Sequence, residues 1–233
     1  AVKGASYDKE AGIARYSAAV EKPSYTYATG SSAVSLTVSF SLDMSTMPKS
    51  PFTDVVAGSW YFDAALYASS HNLMLGTSPT EFSPNITMTR GMLVTVLYRM
   101  NGSPSVSGKT PFTDVRTDEW YSAAVLWAYQ NGIVTGMSDT TFAPINNVTR
   151  EQMATILFRY TKTAAPDKAK ASADLSGFAD AGSVNDWAVD AMRWAVGQKL
   201  IAGITLGQSV YLQPRGNATR AQAATVLTRY YAQ

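Results

Sequence analysis

Hydrophobic and polar positions along this chain follow two periods. Over residues 34–42 the period is two: Val34, Leu36, Val38, Phe40 and Leu42 alternate with Ser35, Thr37, Ser39 and Ser41, which predicts a strand with one apolar face. Tyr25-Thr26-Tyr27 and the stretch from Ile13 to Val20 are candidates for further strands. Two or three strands do not make a stable sheet alone, so residues 1–50 read as a β-rich segment, the tail of a preceding domain cut from a longer chain. From residue 51 the period becomes helical. Ala64 and Tyr67, Ala124 and Trp127, and Ala191 and Trp194 follow Trp60, Trp120 and Trp187 at four and seven residues, which predicts three helices with each trio on one face. A second apolar stripe recurs as Leu93, Val96 and Leu97, as Met153, Ile156 and Leu157, and as Ala223, Val226 and Leu227.

These stripes belong to a repeat. Phe52-Thr53-Asp54-Val55 returns as Phe112-Thr113-Asp114-Val115 and, loosely, as Phe178-Ala179-Asp180. Trp60, Trp120 and Trp187 follow those aspartates by 6, 6 and 7 residues, and Gly76, Gly136 and Gly203 each lie 16 beyond their tryptophan. Pro84, Pro144 and Pro214 come 8, 8 and 11 residues after the glycines, and Arg90, Arg150 and Arg220 lie 6 past each proline. Each copy reads as helix, Gly-centred loop, helix. The first helix stops near Asn72, Asn131-Gly132 or Lys199. The second is announced by Thr89, Thr149 or Thr219, whose hydroxyl can accept a bond from an orphaned backbone N–H. Gln152 and Gln222 complete a capping box in two copies, and Met92 breaks it in the first. Arg99, Arg159 and Arg229 fall near the predicted helix ends, where the macrodipole favours a cation.

The copies occupy residues 51–102, 111–162 and 177–233, joined by a Gly/Ser/Pro-rich segment from Asn101 to Pro111 and an Ala/Lys/Asp-rich, exposed one from Thr161 to Gly177. A unit of about 50 residues cannot bury its apolar face alone. The expected fold is therefore mainly α: three helix-loop-helix repeats packed as a pseudo-three-fold bundle, one helix per copy toward the axis.

Composition narrows the function. Apolar residues make up 46% and charged ones 15%, core-forming material that excludes a disordered polyelectrolyte. Nineteen Lys+Arg against 17 Asp+Glu leave a net charge of +2, too balanced for a dedicated binder of nucleic acid or anionic membranes. With no cysteine, disulfides, thiol catalysis and Cys-ligated zinc fall away. A single histidine, His71, read as a surface residue at a helix end, removes clustered imidazoles and argues against a Ser-His-Asp triad. Asp118-Glu119 has no partner at EF-hand spacing, and no metal or cofactor is expected. No run approaches the length of a membrane span, and Ala1 begins no signal peptide; the low charge and the absence of cysteine suit an exported protein that has lost its leader.

Taken together, F-T-D-V, W-Y-x-x-A-V-x-W-A, G-x-x-x-G, F-x-P and T-R-x-x in three copies resemble the S-layer homology domain over residues 51–233. The resemblance implies a three-pronged helical module whose grooves bind secondary cell wall polysaccharide, in many members through a sugar carrying a pyruvate ketal. It implies an extracellular, non-catalytic anchor on a bacterial wall. The T-R-A-E motif of that family matches Thr89-Arg90-Gly91-Met92, Thr149-Arg150-Glu151-Gln152 and Thr219-Arg220-Ala221-Gln222. All three arginines are retained, no copy has Glu at the fourth position, and Gly91-Met92 departs furthest.

The candidate ligand residues are Arg90, Arg150 and Arg220, Gly76, Gly136 and Gly203, Trp60, Trp120 and Trp187, and Asp54, Asp114 and Asp180. Arginine at a helix start opposes the macrodipole, yet a guanidinium beside free helix N–H groups makes a carboxylate receptor. The alternative is that each arginine pairs with an aspartate and braces the repeat. On the ligand reading, Arg150→Ala and Arg220→Ala are expected to weaken binding with little loss of fold. The three tryptophans suit either sugar stacking or core packing, whereas Trp127 and Trp194 suit the core. The glycines serve turns and, beyond that, N–H groups for sugar hydroxyls. The aspartates serve as caps, as arginine partners or as hydroxyl acceptors. Triplication argues against an enzyme such as a glycosidase, since catalysis needs one asymmetric site. The second reading is a structural lattice protein, self-associating through the strand at 34–42.

Overall fold

The computed structural model describes residues 5–8, 13–16, 49–170 and 172–232. The strand expected at 34–42 and the one around Tyr25–Tyr27 lie outside them. Within the first 50 residues, β1 (Ala5–Asp8) and β2 (Ile13–Tyr16) pair antiparallel, Ala5 opposite Tyr16. The rest is mainly helical: α1 (Phe62–Ser70) and α2 (Arg90–Met100) in the first copy, α3 (Ser122–Gln130) and α4 (Arg150–Ala164) in the second, α5 (Val189–Gly197) and α6 (Arg220–Tyr231) in the third. The two insertions of the third copy have definite structure. The single residue falls where short 3-10 helices form at Ala181–Ser183 and Asp186–Ala188, and the three-residue one opens the loop into a hairpin of β3 (Ile204–Leu206) and β4 (Ser209–Tyr211).

Thr89, Thr149 and Thr219 sit in extended conformation at the N-caps of α2, α4 and α6, their side chains accepting from the N–H of Met92, Gln152 and Gln222. Both expected capping boxes form, and α2 has none. The first helices end on left-handed residues, Asn72 (φ 55), Gly132 (φ 67) and Lys199 (φ 58). The N–H of the next residue, Leu73, Ile133 or Leu200, then returns to Ala68, Ala128 or Ala195. The tryptophan-led face needs correction. Trp60 and Trp120 precede α1 and α3, and Trp187 lies in a 3-10 turn before α5. All three are exposed (65, 59 and 53%), while the apolar faces run through Ala64 and Tyr67, Ala124 and Trp127, and Ala191 and Trp194, all buried.

Burial is shared between copies. The first helix of each copy packs on the second helix of the copy before it: α3 on α2, α5 on α4, and α1 on α6. Trp127 lies against Tyr98 and Tyr160, Trp194 against Phe158 and Tyr230, and Tyr67 against Tyr231. His71 is half-buried, stacked on Tyr67 with ring centroids 3.9 Å apart. At the hub are Met88, Val148 and Ala218, each fully buried and each just before a cap threonine. The N–H of Met88 donates to Ala218 O, that of Ala218 to Val148 O, and that of Val148 to Met88 O, at 2.8–2.9 Å. The contacts thus close on themselves.

The second linker is more ordered than its composition suggests. Helix α4 runs on to Ala164, a 3-10 turn follows at Pro166–Lys170, the carbonyl of Lys168 accepts from Trp194 Nε1 at 2.9 Å, and Leu175 is buried.

Candidate ligand-binding grooves

Each site begins at the start of a second helix. The backbone N–H groups of Arg90 and Gly91 donate to Asn146 O and Pro144 O of the second copy. Those of Arg150 and Glu151 donate to Gly216 O and Pro214 O of the third, and those of Arg220 and Ala221 to Ile86 O and Pro84 O of the first. In α4 and α6 the capping box takes the remaining two, so all four orphan donors are used. The expectation that free N–H groups at these helix starts receive a carboxylate is therefore corrected: the next copy already occupies them.

The arginine side chains follow the same direction. Nε of Arg90 donates to Phe142 O at 2.8 Å, that of Arg150 to Leu212 O at 2.7 Å, and that of Arg220 to Phe82 O at 2.9 Å. The N–H of that same residue, Phe142, Leu212 or Phe82, is held by the aspartate of its own copy. Asp114 bonds Phe142 and Ala143, Asp180 bonds Leu212 and Gln213, and Asp54 bonds Phe82 and Ser83. One peptide unit thus joins an aspartate on one side to the previous copy's arginine on the other. The second residue of each pair, Ser83, Ala143 or Gln213, is held at φ between 48 and 58, a strained geometry that the carboxylate pins.

No direct arginine–aspartate ion pair forms at these positions among the described residues; the ion pairs of Arg116 with Asp118 and Lys170 with Asp167 lie elsewhere. The aspartates nonetheless favour the arginine charge. Burial pushes the Arg90 guanidinium down to about 10, with Asp114 opposing, and Arg150 and Arg220 are lowered by the same cause against Asp180 and Asp54. Arg90 and Arg220 also lie over the Phe142 and Phe82 rings, at 4.7 and 4.9 Å.

All three arginines, though only 5–6% exposed, line grooves. Every groove draws on all three copies. The first, of about 370 Å³, places Arg90 of copy one beside Thr135, Gly136, Gln152, Thr155 and Arg159 of copy two and Trp187 of copy three. The second, about 490 Å³, joins Arg150 with Gly203, Gln222, Thr225, Arg229 and Trp60. The third, about 390 Å³, joins Arg220 with Gly76, Met92, Thr95, Arg99 and Trp120. The structure therefore brings together one candidate arginine, glycine and tryptophan per groove, each from a different copy. The aspartates lie behind the arginines, one peptide unit away.

Gly136 (φ 83) and Gly203 (φ 80) are left-handed as expected, but Gly76 is not. It is required by contact instead, since a Cβ there would stand 2.5 Å from Ser78 O and 2.7 Å from the Phe52 ring.

Sequence reasoning missed the second arginine of each groove. Arg99, Arg159 and Arg229 each lie nine residues after the first, and that repeated spacing was the available signal. Arg159 is mid-helix rather than terminal, donating to Thr135 Oγ1 at 3.3 Å, and Arg229 donates to Leu200 O at 3.1 Å. Gln152 and Gln222 were read as capping residues alone, yet they also line grooves; Met92 takes their place in the third.

Comparison with known proteins places the three copies in one family. The S-layer homology domain matches at residues 51–91, 111–154 and 177–224. An endoglucanase of Bacillus sp. (strain KSM-635) is 34% identical over 178 residues, 76% of this chain and 18% of that protein. The surface-layer 125 kDa protein of Lysinibacillus sphaericus is 32% identical over 154 residues, 66% of the chain and 12% of the relative. An amylopullulanase of Thermoanaerobacterium thermosulfurigenes is 29% identical over 76% of the chain and 9% of the relative. The chain spans less than a fifth of the length of each.

Proposed function

The chain belongs to the S-layer homology domain family, and on that premise we propose that it anchors a longer exported polypeptide to the bacterial cell surface by binding secondary cell wall polysaccharide in its three grooves, without catalysis. Residues 51–233 act as one module of three interdependent copies, which we read as a pseudo-three-fold assembly. The observation that carries this reading is the composition of the grooves. Each combines two arginines, a close-packed Gly loop and an exposed indole, the set that a sugar bearing a carboxylate requires: a charged fork for the acid, donors for hydroxyls, and an apolar plate for the ring. A pyruvate ketal supplies such a carboxylate. That relatives include both enzymes acting on polysaccharides and a surface-layer protein suits a module that is indifferent to its cargo. No helix among the described residues is long and apolar enough to cross a membrane.

The grooves are unequal. The first and second carry a glutamine amide where the third has Met92, and in the third the Nη2 of Arg220 is committed to Leu75 O at 2.6 Å. We assign the acidic sugar to the first two. The test is calorimetric titration with purified wall polysaccharide before and after mild-acid removal of its ketals. Binding that depends on the ketals is expected; equal affinity for both preparations would refute the carboxylate reading.

A further inference from the structure

Among the described residues Glu151 is the least exposed carboxylate, 2% exposed, and none of the ion pairs they form involves it. It stands at the second position of α4, where the macrodipole favours a negative charge. Its Oε2 accepts from the backbone N–H of Asn185 at 3.1 Å and its Oε1 from the Asn185 side-chain amide at 2.5 Å. Asn185 cannot turn over without loss, because its Oδ1 accepts from Arg215 at 3.2 Å. Asn185 is also the N-cap of the 3-10 turn Asp186–Ala188, which carries Trp187 and packs against α4.

The other two copies do this differently. There the residue after the exposed tryptophan is Tyr61 or Tyr121, whose ring makes an edge contact with Trp60 or Trp120 at 5.3 or 5.1 Å. The residue facing Tyr121 from the preceding copy is Gly91, on which a Cβ would lie 3.4 Å from the tyrosine Cβ and Cδ1. By the repeat alignment Ala221 faces Tyr61 in the same way, and Glu151 faces Ala188, which is fully buried. Small therefore meets large at two boundaries, Gly91 with Tyr121 and Ala221 with Tyr61, and the order is exchanged at the third, Glu151 with Ala188.

We propose that Glu151 is a positioning residue for the first groove: through Asn185 it sets Trp187 opposite Arg90 and Arg159, replacing the tyrosine that backs the other two groove tryptophans. The ligand half of this rests on the groove reading above; the positioning half does not.

The experiment uses the full chain carrying W60A and W120A, so that Trp187 is the one exposed tryptophan and the first groove the one with an aromatic edge. Glu151→Ala is made in it, alone and with Ala188→Tyr, which rebuilds the Ala221–Tyr61 pairing. Acrylamide quenching reports Trp187, and titration with a 4,6-O-(1-carboxyethylidene) hexopyranoside reports the groove. Glu151→Ala is expected to shift quenching upward and to weaken probe binding about tenfold, the worth of one well-placed aromatic contact, and the double variant to recover both. Quenching and affinity unchanged in Glu151→Ala would overturn the proposal. If the parent does not bind the probe, the groove reading fails while quenching and its recovery still decide the positioning. If Glu151→Ala does not fold, the double variant decides: parental quenching supports the proposal, and raised quenching overturns it.

Discussion

Replacing each groove arginine by alanine tests whether these side chains hold the copies together as well as face a ligand. Arg150 makes one charge-assisted bond, to Leu212 O, and lies over no ring. Its loss strands a carbonyl that the third copy buries, at a cost of about 2 kcal/mol. Arg90 makes the equivalent bond and adds the Phe142 ring, for about 3 kcal/mol in all. Arg220 bonds two carbonyls, Phe82 O and Leu75 O, and lies over Phe82, for about 5 kcal/mol. A domain of this size loses about 2–4 °C of Tm per kcal/mol. Arg150→Ala should therefore melt about 4–8 °C lower, Arg90→Ala about 6–12 °C and Arg220→Ala about 10–20 °C. Near-UV circular dichroism follows the melt, since Trp127 and Trp194 sit at the inter-copy contacts. Unchanged melting in all three variants would refute the brace, as would a larger loss for Arg150→Ala than for Arg220→Ala. The expectation that Arg150 and Arg220 can be removed with little loss of fold gives way to this ranking.

Two further outcomes follow from the same geometry. Lys199→Gly relieves a left-handed residue at the end of α5 while keeping the carbonyl that faces Arg229, and should raise stability by about 0.5–1 kcal/mol in a urea melt. Binding of an acidic sugar in the first groove favours the charged guanidinium, so its affinity is fully present below the free-state value of Arg90 and lost above it. With that value lowered by burial to about 10, titrations should give constant affinity at neutral pH and a decline above about pH 10, where an ordinary arginine stays charged.

What the sequence made legible was local. Thr149 and Gln152 lie within one turn, so their capping box could be read from spacing, and the stop at Asn72, Gly132 and Lys199 could be read from residue type and period. The burial of Trp127 and Trp194 followed from helical phase. What could not be read was which copy each side chain serves. Arg90 bonds a carbonyl 52 residues away and Arg220 one 138 residues away, both in the next copy round. Nothing in a repeat's internal spacing distinguishes a contact with itself from one with its neighbour. The same limit put Trp60, Trp120 and Trp187 on a helical face. Their spacing fits the period, but the helix begins after them, and the side chains reach grooves formed by other copies.

The ring of backbone bonds among Met88, Val148 and Ala218 has an arithmetic meaning. An open stack of repeats offers a fresh face at each end, so its length is set only by how many units the gene encodes and by polar terminal units that stop further addition. Here each hub residue gives one N–H and takes one through its carbonyl, and the third returns to the first. No donor is left over to recruit a fourth unit, and none can be spared to make do with two. The three hub residues thus satisfy one another by hydrogen-bond stoichiometry, and deleting one copy should leave one hub N–H and one hub carbonyl without the partner each has here.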